Sequence, residues 1–224
     1  MKVMSQTNCT ITVYVDKTQY IRDLIKLERV FISRPRRFGK SLTLDTIATL
    51  FESGVEPYFK GTWIYDKWTE PTYPVLRLNF LDLDKYSLDH FKKTLNAIIS
   101  SFARDINVKN YEEHSEPEDT IFFLLDALRK EKRQIVILID EYDCQMTANI
   151  NNETLYKQFQ EKIKSIYAII KNKWPIKFLG ITGVTRLKDV EIFSIGSDIN
   201  DITNDSSFSQ MIGFTRDEIK KYYI

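Results

Sequence analysis

Residues 34–41 read Arg34-Pro35-Arg36-Arg37-Phe38-Gly39-Lys40-Ser41 and stand between a predicted strand and a predicted helix. The strand is the apolar run 29–33, and the helix carries apolar residues at helical spacing from Leu44 to Phe51. The start of a helix presents unpaired backbone N–H groups and the positive end of the helix dipole, both of which attract a phosphate. The sequence therefore predicts an anion-binding loop at this point of the chain.

The loop matches the last three positions of the pattern G-x-x-x-x-G-K-[ST], with Arg34 in place of the first glycine. Glycine lets the backbone approach the ligand closely, lysine reaches β- and γ-phosphate oxygens, and serine ligates Mg²⁺. A solvated basic loop containing a common Gly-Lys-Ser tripeptide is the alternative at this stage. The predicted cofactor-binding residues are Arg36, Arg37, Phe38, Gly39, Lys40, Ser41 and Leu42.

A second motif is the apolar strand 135–139, which ends in Asp140-Glu141. An aspartate at the end of a central strand holds Mg²⁺, often through water, and the glutamate after it orients and deprotonates an attacking water. Polar residues that merely end a strand give the same pattern. Its position after the strand–loop–helix unit favours a P-loop nucleotide fold. Ser41 and Asp140 are the predicted metal ligands, and Glu141 is the predicted general base.

A third segment, 182–186, follows the strand that ends at Ile181. The carboxyl ends of parallel strands collect along one edge of a sheet, where ligands bind. Thr182, Thr185 or Arg186 could therefore reach a γ-phosphate. Arg186 is the second predicted catalytic residue, since an arginine there would stabilise transition-state charge. A surface loop with an ordinary salt bridge is the alternative.

The alternation of short β-branched runs with helical segments predicts an α/β fold, a P-loop NTPase with a mostly parallel sheet covered by helices on both faces. Strands are predicted at 29–33, 73–80, 134–139 and 176–181. Asp119 or Thr120 is predicted to cap the helix that contains 121–128. A loop is predicted at 196–209 and a short charged helix at 215–223.

Composition excludes several function classes. The 224 residues contain 32 Lys and Arg against 31 Asp and Glu, so a generally cationic nucleic-acid coat is excluded. Positive charge is concentrated in residues 1–43, which hold nine Lys or Arg and three Asp or Glu. No segment is long and apolar enough for a membrane span. With only Cys9 and Cys144, a disulfide framework is not available and a cytoplasmic location is expected. The two histidines, at positions 90 and 114, give zinc chemistry little to work with.

Several motifs in one order resemble the AAA-ATPase-like family of P-loop domains, which are often fused to a C-terminal PD-(D/E)XK nuclease-like domain. The resemblance extends from Tyr14 to the end of the chain, and it implies that the Arg-Pro-Arg-Arg-Phe form of the loop is normal for the family. The motifs lie at residues 14–18, 33–41, 139–143, 182–186, 192–194, 200–203 and 213–215.

The resemblance implies ATP and Mg²⁺ as cofactors, phosphate and metal binding by Lys40 and Ser41, and a sensor position for Arg186. It divides the chain into an N-terminal extension (1–13), the P-loop AAA-ATPase-like domain (14–195) and the start of a truncated lid or C-terminal region (196–224). Candidate partners are the nucleotide, further copies in a homo-oligomer, and a fused or separate effector domain. Nucleic-acid binding is not supported by this chain alone.

Two function classes compete: an ATP-binding and ATP-hydrolysing domain, and a non-hydrolysing nucleotide switch or interaction module. A nuclease is disfavoured, because the only Glu-x-Lys, Glu218-Ile219-Lys220, lies in a charged helical stretch and not at the end of a strand.

Overall fold

A computed structural model of the protein describes residues 2–4, 11–109, 111–171, 174–185 and 198–223. Within these residues one sheet of five strands forms the centre of the fold, in the order β4-β5-β6-β3-β7, and every pair in it is parallel. The strands are β3 (Arg29–Ser33), β4 (Val75–Asn79), β5 (Ile135–Asp140), β6 (Ile176–Gly183) and β7 (Asn200–Asp201). A separate antiparallel pair is formed by β1 (Lys2–Met4) and β2 (Ile11–Val13). The predicted parallel α/β sheet is confirmed.

Helices cover both faces of this sheet. Side chains alternate between the faces along each strand, so β5 contributes Ile135, Ile137 and Ile139 to one apolar core and Val136 and Leu138 to the other. This explains why β5 is apolar from Ile135 to Ile139. The helices are α1 (Thr18–Leu24), α2 (Lys40–Ser53), α3 (Leu88–Asp105), α4 (Pro117–Lys130), α5 (Cys144–Ala148), α6 (Glu153–Ile170) and α7 (Arg216–Tyr223).

The helices divide between the two cores. One core is formed with α3, α4, α5 and α6, and the other with α1, α2 and the segment around Ile202 to Ile212. The second core includes four buried residues from the region that the sequence assigned to a lid: Ile202, Phe208, Met211 and Ile212. The boundary at 195/196 stays a prediction, but these residues pack with the central sheet.

Some local predictions were wrong. The prediction of a loop at 196–209 missed β7 and a short 3-10 helix at Ser206–Phe208, because a two-residue edge strand has no periodicity to detect. The cap of α4 is Glu116, since Pro117 begins the helix and places Asp119 and Thr120 inside its first turns. No helix in the described part of the chain is long and apolar enough to cross a membrane.

Candidate functional site

The loop between β3 and α2 turns sharply at two residues. Arg37 has a φ of 66° and Gly39 a φ of 94°, both in the left-handed region. Gly39 immediately precedes α2, and no atom lies within 4 Å of where its Cβ would be. The position therefore favours glycine for its backbone conformation and not for lack of space. α2 begins directly after this turn, and the first N–H groups of a helix are the donors that an anion site requires.

Lys40 is buried, with 3% of its side chain exposed. Its ammonium group donates to the carbonyl oxygens of Arg34 at 3.0 Å and Pro35 at 3.3 Å, so it is held inside the loop. It also lies 3.3 Å from a carboxylate oxygen of Glu141, whose side chain is 15% exposed. The sheet thus brings the predicted phosphate-binding lysine and the predicted general base into contact.

Strand order explains this meeting. β6 lies between β3 and β5, so the three carboxyl ends form one edge. Immediately after β5, Glu141 adopts a φ of 52° and the chain turns back toward β6. The Asp140 Oδ1 atom accepts hydrogen bonds from the hydroxyl of Thr182 and, at 3.0 Å, from the backbone N–H of Glu141. Thr182 therefore fixes the Asp140 side chain across two neighbouring strands.

Ser41 and Asp140 line the same small cavity, of about 280 Å³. A serine hydroxyl and a carboxylate are oxygen ligands of the kind that Mg²⁺ takes, so the donor set fits this ion. In the described residues no group of three or more His, Cys, Asp or Glu could hold a metal. Mg²⁺ is usually bound by one or two protein ligands together with substrate phosphates and water.

A larger cavity, of about 480 Å³, has Gly39 in its lining. Its apolar lining includes Tyr14, Val15, Phe38, Leu42, Met211 and Phe214. Three of these lining residues, Phe38, Leu42 and Phe214, are half-exposed. A cavity of this size with apolar walls is typical of a small-molecule site.

The segment 14–18, whose role the sequence did not explain, joins α7 to this cavity. Lys17 lines the cavity and forms an ion pair of 2.5 Å with Glu218 of α7. Burial of the Glu218 carboxylate opposes its ionisation, but the hydrogen bonds from Lys17 and from the N–H of Thr215 outweigh this effect and lower its pKa. The ion pair therefore connects α7 to the residue that directly precedes α1.

Asp16 and Thr18 have structural roles in the same segment. Asp16 accepts hydrogen bonds from the N–H of Thr18 at 2.9 Å, from its hydroxyl at 2.7 Å, and from the N–H of Trp63 at 2.6 Å. Thr18 in turn accepts from the N–H of Ile64. These contacts connect sequence positions too far apart for any local pattern to reveal.

The remaining predicted residues lie as follows. Arg36 and Arg37 are exposed on the loop, while Arg34 turns inward and donates to the carbonyls of Ser33 and Thr203. The prediction of Arg186 as a catalytic residue lies outside the described residues.

The parallel sheet, the glycine turn and the lysine at the start of α2 define a P-loop domain of the α/β class. The family model described as "Predicted AAA-ATPase" (AAA-ATPase_like) matches residues 4–193, and the chain belongs to this family.

The chain is also similar to an uncharacterised protein from the 5′ region of vnfD in Azotobacter chroococcum mcd 1. The two are 32% identical over 212 residues, which cover 92% of this chain and 40% of that protein. The chain thus spans less than half the length of this relative. Among solved structures, the chain is similar to Cdc6p from Pyrobaculum aerophilum, with 16% sequence identity and a TM-score of 0.41. The match covers 89% of this chain and 49% of the Cdc6p chain.

Proposed function

We propose that this domain binds ATP with Mg²⁺ and hydrolyses it. The observation that carries the proposal is the contact between Lys40 and Glu141 at the carboxyl edge of the sheet, 3.3 Å apart and both largely buried. A phosphate-binding cation and a candidate general base at one helix start are the parts that nucleoside-triphosphate hydrolysis requires. Membership of a predicted AAA-ATPase family supports the same function.

In this proposal the triphosphate binds over the N-terminus of α2, where the loop amides and Lys40 contact its oxygens. Arg36 and Arg37 add donors from the rim of the loop. The base and ribose occupy the 480 Å³ cavity beside Gly39, against Phe38 and Leu42. Glu141 orients the water for in-line attack and accepts its proton.

Two further assignments complete the reaction. Ser41 and Asp140 would hold Mg²⁺, which when bound neutralises charge on the phosphate oxygens. We assign Arg186 to charge stabilisation from its sequence position after β6 and from the family resemblance. A cytoplasmic location likewise stays a prediction, as do a homo-oligomer and a fused or separate effector domain.

A nucleotide-dependent switch without hydrolysis is the second candidate. Lys40 is held by Glu141 and by two loop carbonyls, and α7 is held by the Lys17–Glu218 pair. Nucleotide binding has to rearrange the contacts of Lys40. The nucleotide would also contact Lys17, which lines the cavity and pairs with Glu218. Nucleotide binding with phosphate release no faster than that of Lys40→Ala selects the switch.

Calorimetric titration of the protein with ATP, with and without Mg²⁺, tests the common core of both candidates. We expect micromolar, Mg²⁺-dependent binding that disappears in Lys40→Ala. The matched control is Lys157→Ala, which removes an exposed lysine paired with Glu153 on α6. A folded wild-type protein that does not bind ATP refutes the proposed function.

A further inference from the structure

We infer that Tyr142 and Asp143 are positioning residues that hold the β6 turn, defined as the last residue of β6 and the two residues after it (183–185), in the arrangement that hydrolysis requires. This inference rests on the function proposed above. The turn follows directly on Thr182, whose hydroxyl bonds to Asp140, and it lies between the ends of β3 and β5. Any shift of the turn would therefore move groups on both sides of the nucleotide site.

Asp143 occupies the N-cap position of α5, but its side chain bonds to the β6 turn and not to the helix. It directly precedes α5, yet its side chain makes no hydrogen bond to that helix. Instead Oδ1 accepts from the N–H of Val184 at 3.2 Å and Oδ2 accepts from the N–H of Thr185 at 2.7 Å. The residue is only 1% exposed. A buried carboxylate is costly unless hydrogen-bonded, and two successive N–H groups from one turn supply those bonds.

Tyr142 holds the same turn from its other side. Its hydroxyl donates to the carbonyl oxygen of Thr185 at 2.9 Å, and its backbone N–H donates to the carbonyl oxygen of Thr182 at 3.0 Å. Its ring packs so closely on Gly183 that a Cβ at Gly183 would lie 2.5 Å from two ring atoms. The ring is itself fixed by edge-to-face contact with Phe31 of β3 at 5.4 Å.

The end of β3 and the first residue of the phosphate loop also bond to the β6 turn. The N–H of Arg34 donates to the carbonyl of Gly183 at 3.2 Å, and the hydroxyl of Ser33 donates to the carbonyl of Val184 at 2.9 Å. The carbonyls of residues 183, 184 and 185 and the N–H groups of 184 and 185 thus all have partners at the end of β3, in Arg34 directly after it, or in the segment after β5. These hydrogen bonds connect the start of the phosphate loop, the segment after β5 and the β6 turn.

Two consequences follow for the reaction. Asp143 is not a substitute for Glu141 as a base, because both of its oxygens are engaged with backbone N–H groups. Loosening the turn should lower the rate of hydrolysis more than nucleotide affinity, since a misplacement of about 1 Å at a catalytic site costs on the order of 100-fold in rate.

The experiment measures kcat and KM for ATP hydrolysis, and the affinity and stoichiometry of ATP binding, in Asp143→Asn and Tyr142→Phe. We expect Asp143→Asn to lower kcat by about 10- to 100-fold, because the new amide group places a donor against an N–H. We expect Tyr142→Phe, which removes one hydrogen bond and keeps the ring, to lower kcat by about fivefold. Both variants should bind one ATP with an affinity within about threefold of the wild type.

Each variant has a matched control. Tyr167→Phe removes a buried hydroxyl that has no hydrogen-bond partner in the described residues, and its ring centroid is 6.5 Å from that of Tyr142. Asp84→Asn changes a carboxylate that accepts from the N–H groups of Tyr86 and Ser87 in a different turn. Both controls should keep the wild-type kcat.

The outcomes separate this inference from the function on which it rests. The positioning role is overturned if kcat is unchanged in both variants. It is also overturned if the fraction of protein that binds ATP falls by as much as the rate does. Neither result contradicts ATP hydrolysis by the wild-type protein. A wild-type protein that binds ATP without hydrolysing it also overturns the inference, while absence of binding removes both. If Asp143→Asn does not fold, the result for Tyr142→Phe decides alone.

Discussion

Replacing Glu141 with glutamine should stop hydrolysis and at the same time tighten ATP binding. The Glu141 carboxylate lies 3.3 Å from the Lys40 ammonium. In the proposed binding mode, a phosphate of ATP replaces this carboxylate beside Lys40. Coulomb's law at this distance gives about 1 kcal/mol at the dielectric constant of water and about 5 kcal/mol at an effective value of 20. Because both groups exchange one partner for another, the lower figure is the appropriate one. It corresponds to an ATP affinity about tenfold higher in Glu141→Gln.

The rate should change in the opposite direction. Loss of a general base typically costs about 100- to 10,000-fold, and glutamine preserves the size of the side chain. Calorimetry for binding and phosphate release for turnover, in one buffer, measure both effects. Glu153→Gln on the surface of α6 is the matched control and should change neither. Turnover at the wild-type rate would refute Glu141 as the base, and weaker binding would refute its competition with phosphate for Lys40.

Three further predictions concern stability. Gly183→Ala should lower the free energy of unfolding by about 1–3 kcal/mol in urea titrations, because the new methyl group overlaps the Tyr142 ring; an unchanged midpoint would contradict this packing. Tyr167→Phe should raise the unfolding temperature, since it removes a buried hydroxyl with no partner in the described residues, and a decrease would show that the hydroxyl is bonded. Hydrogen bonds from Lys162 and Lys92 lower the pKa of the Glu116 carboxyl below its usual value of 4.5. The stability that this carboxylate contributes is therefore fully present above pH 4.5, and it is lost as the pH falls through the lowered pKa. Glu116→Gln should therefore have a lower free energy of unfolding than the wild type at pH 7. Urea titrations at decreasing pH should show this difference disappearing in acid, and a difference that does not depend on pH would contradict the prediction.

The α/β alternation, the loop at 34–41 and the carboxylates at the end of β5 could all be predicted from sequence. They are local features: β-branched runs form strands, helical spacing of apolar residues forms helices, and a Gly-Lys-Ser segment between them marks a helix start. The limits of the helices were less predictable, as at α4, where Pro117 sets the first turn and displaces the expected cap. The edge strand β7 was missed because two residues carry no pattern.

The amino-acid sequence by itself determined which chemical groups stand at the ends of strands, and so the class of site. Only the tertiary structure decided which of them meet. The order β4-β5-β6-β3-β7 places Glu141 against Lys40, and a left-handed turn at Glu141 sends Asp143 to the N–H groups of Val184 and Thr185. The Lys17–Glu218 pair likewise joins the two ends of the described domain. Such contacts depend on strand order and packing between distant segments, and neither is encoded in the spacing of neighbouring residues.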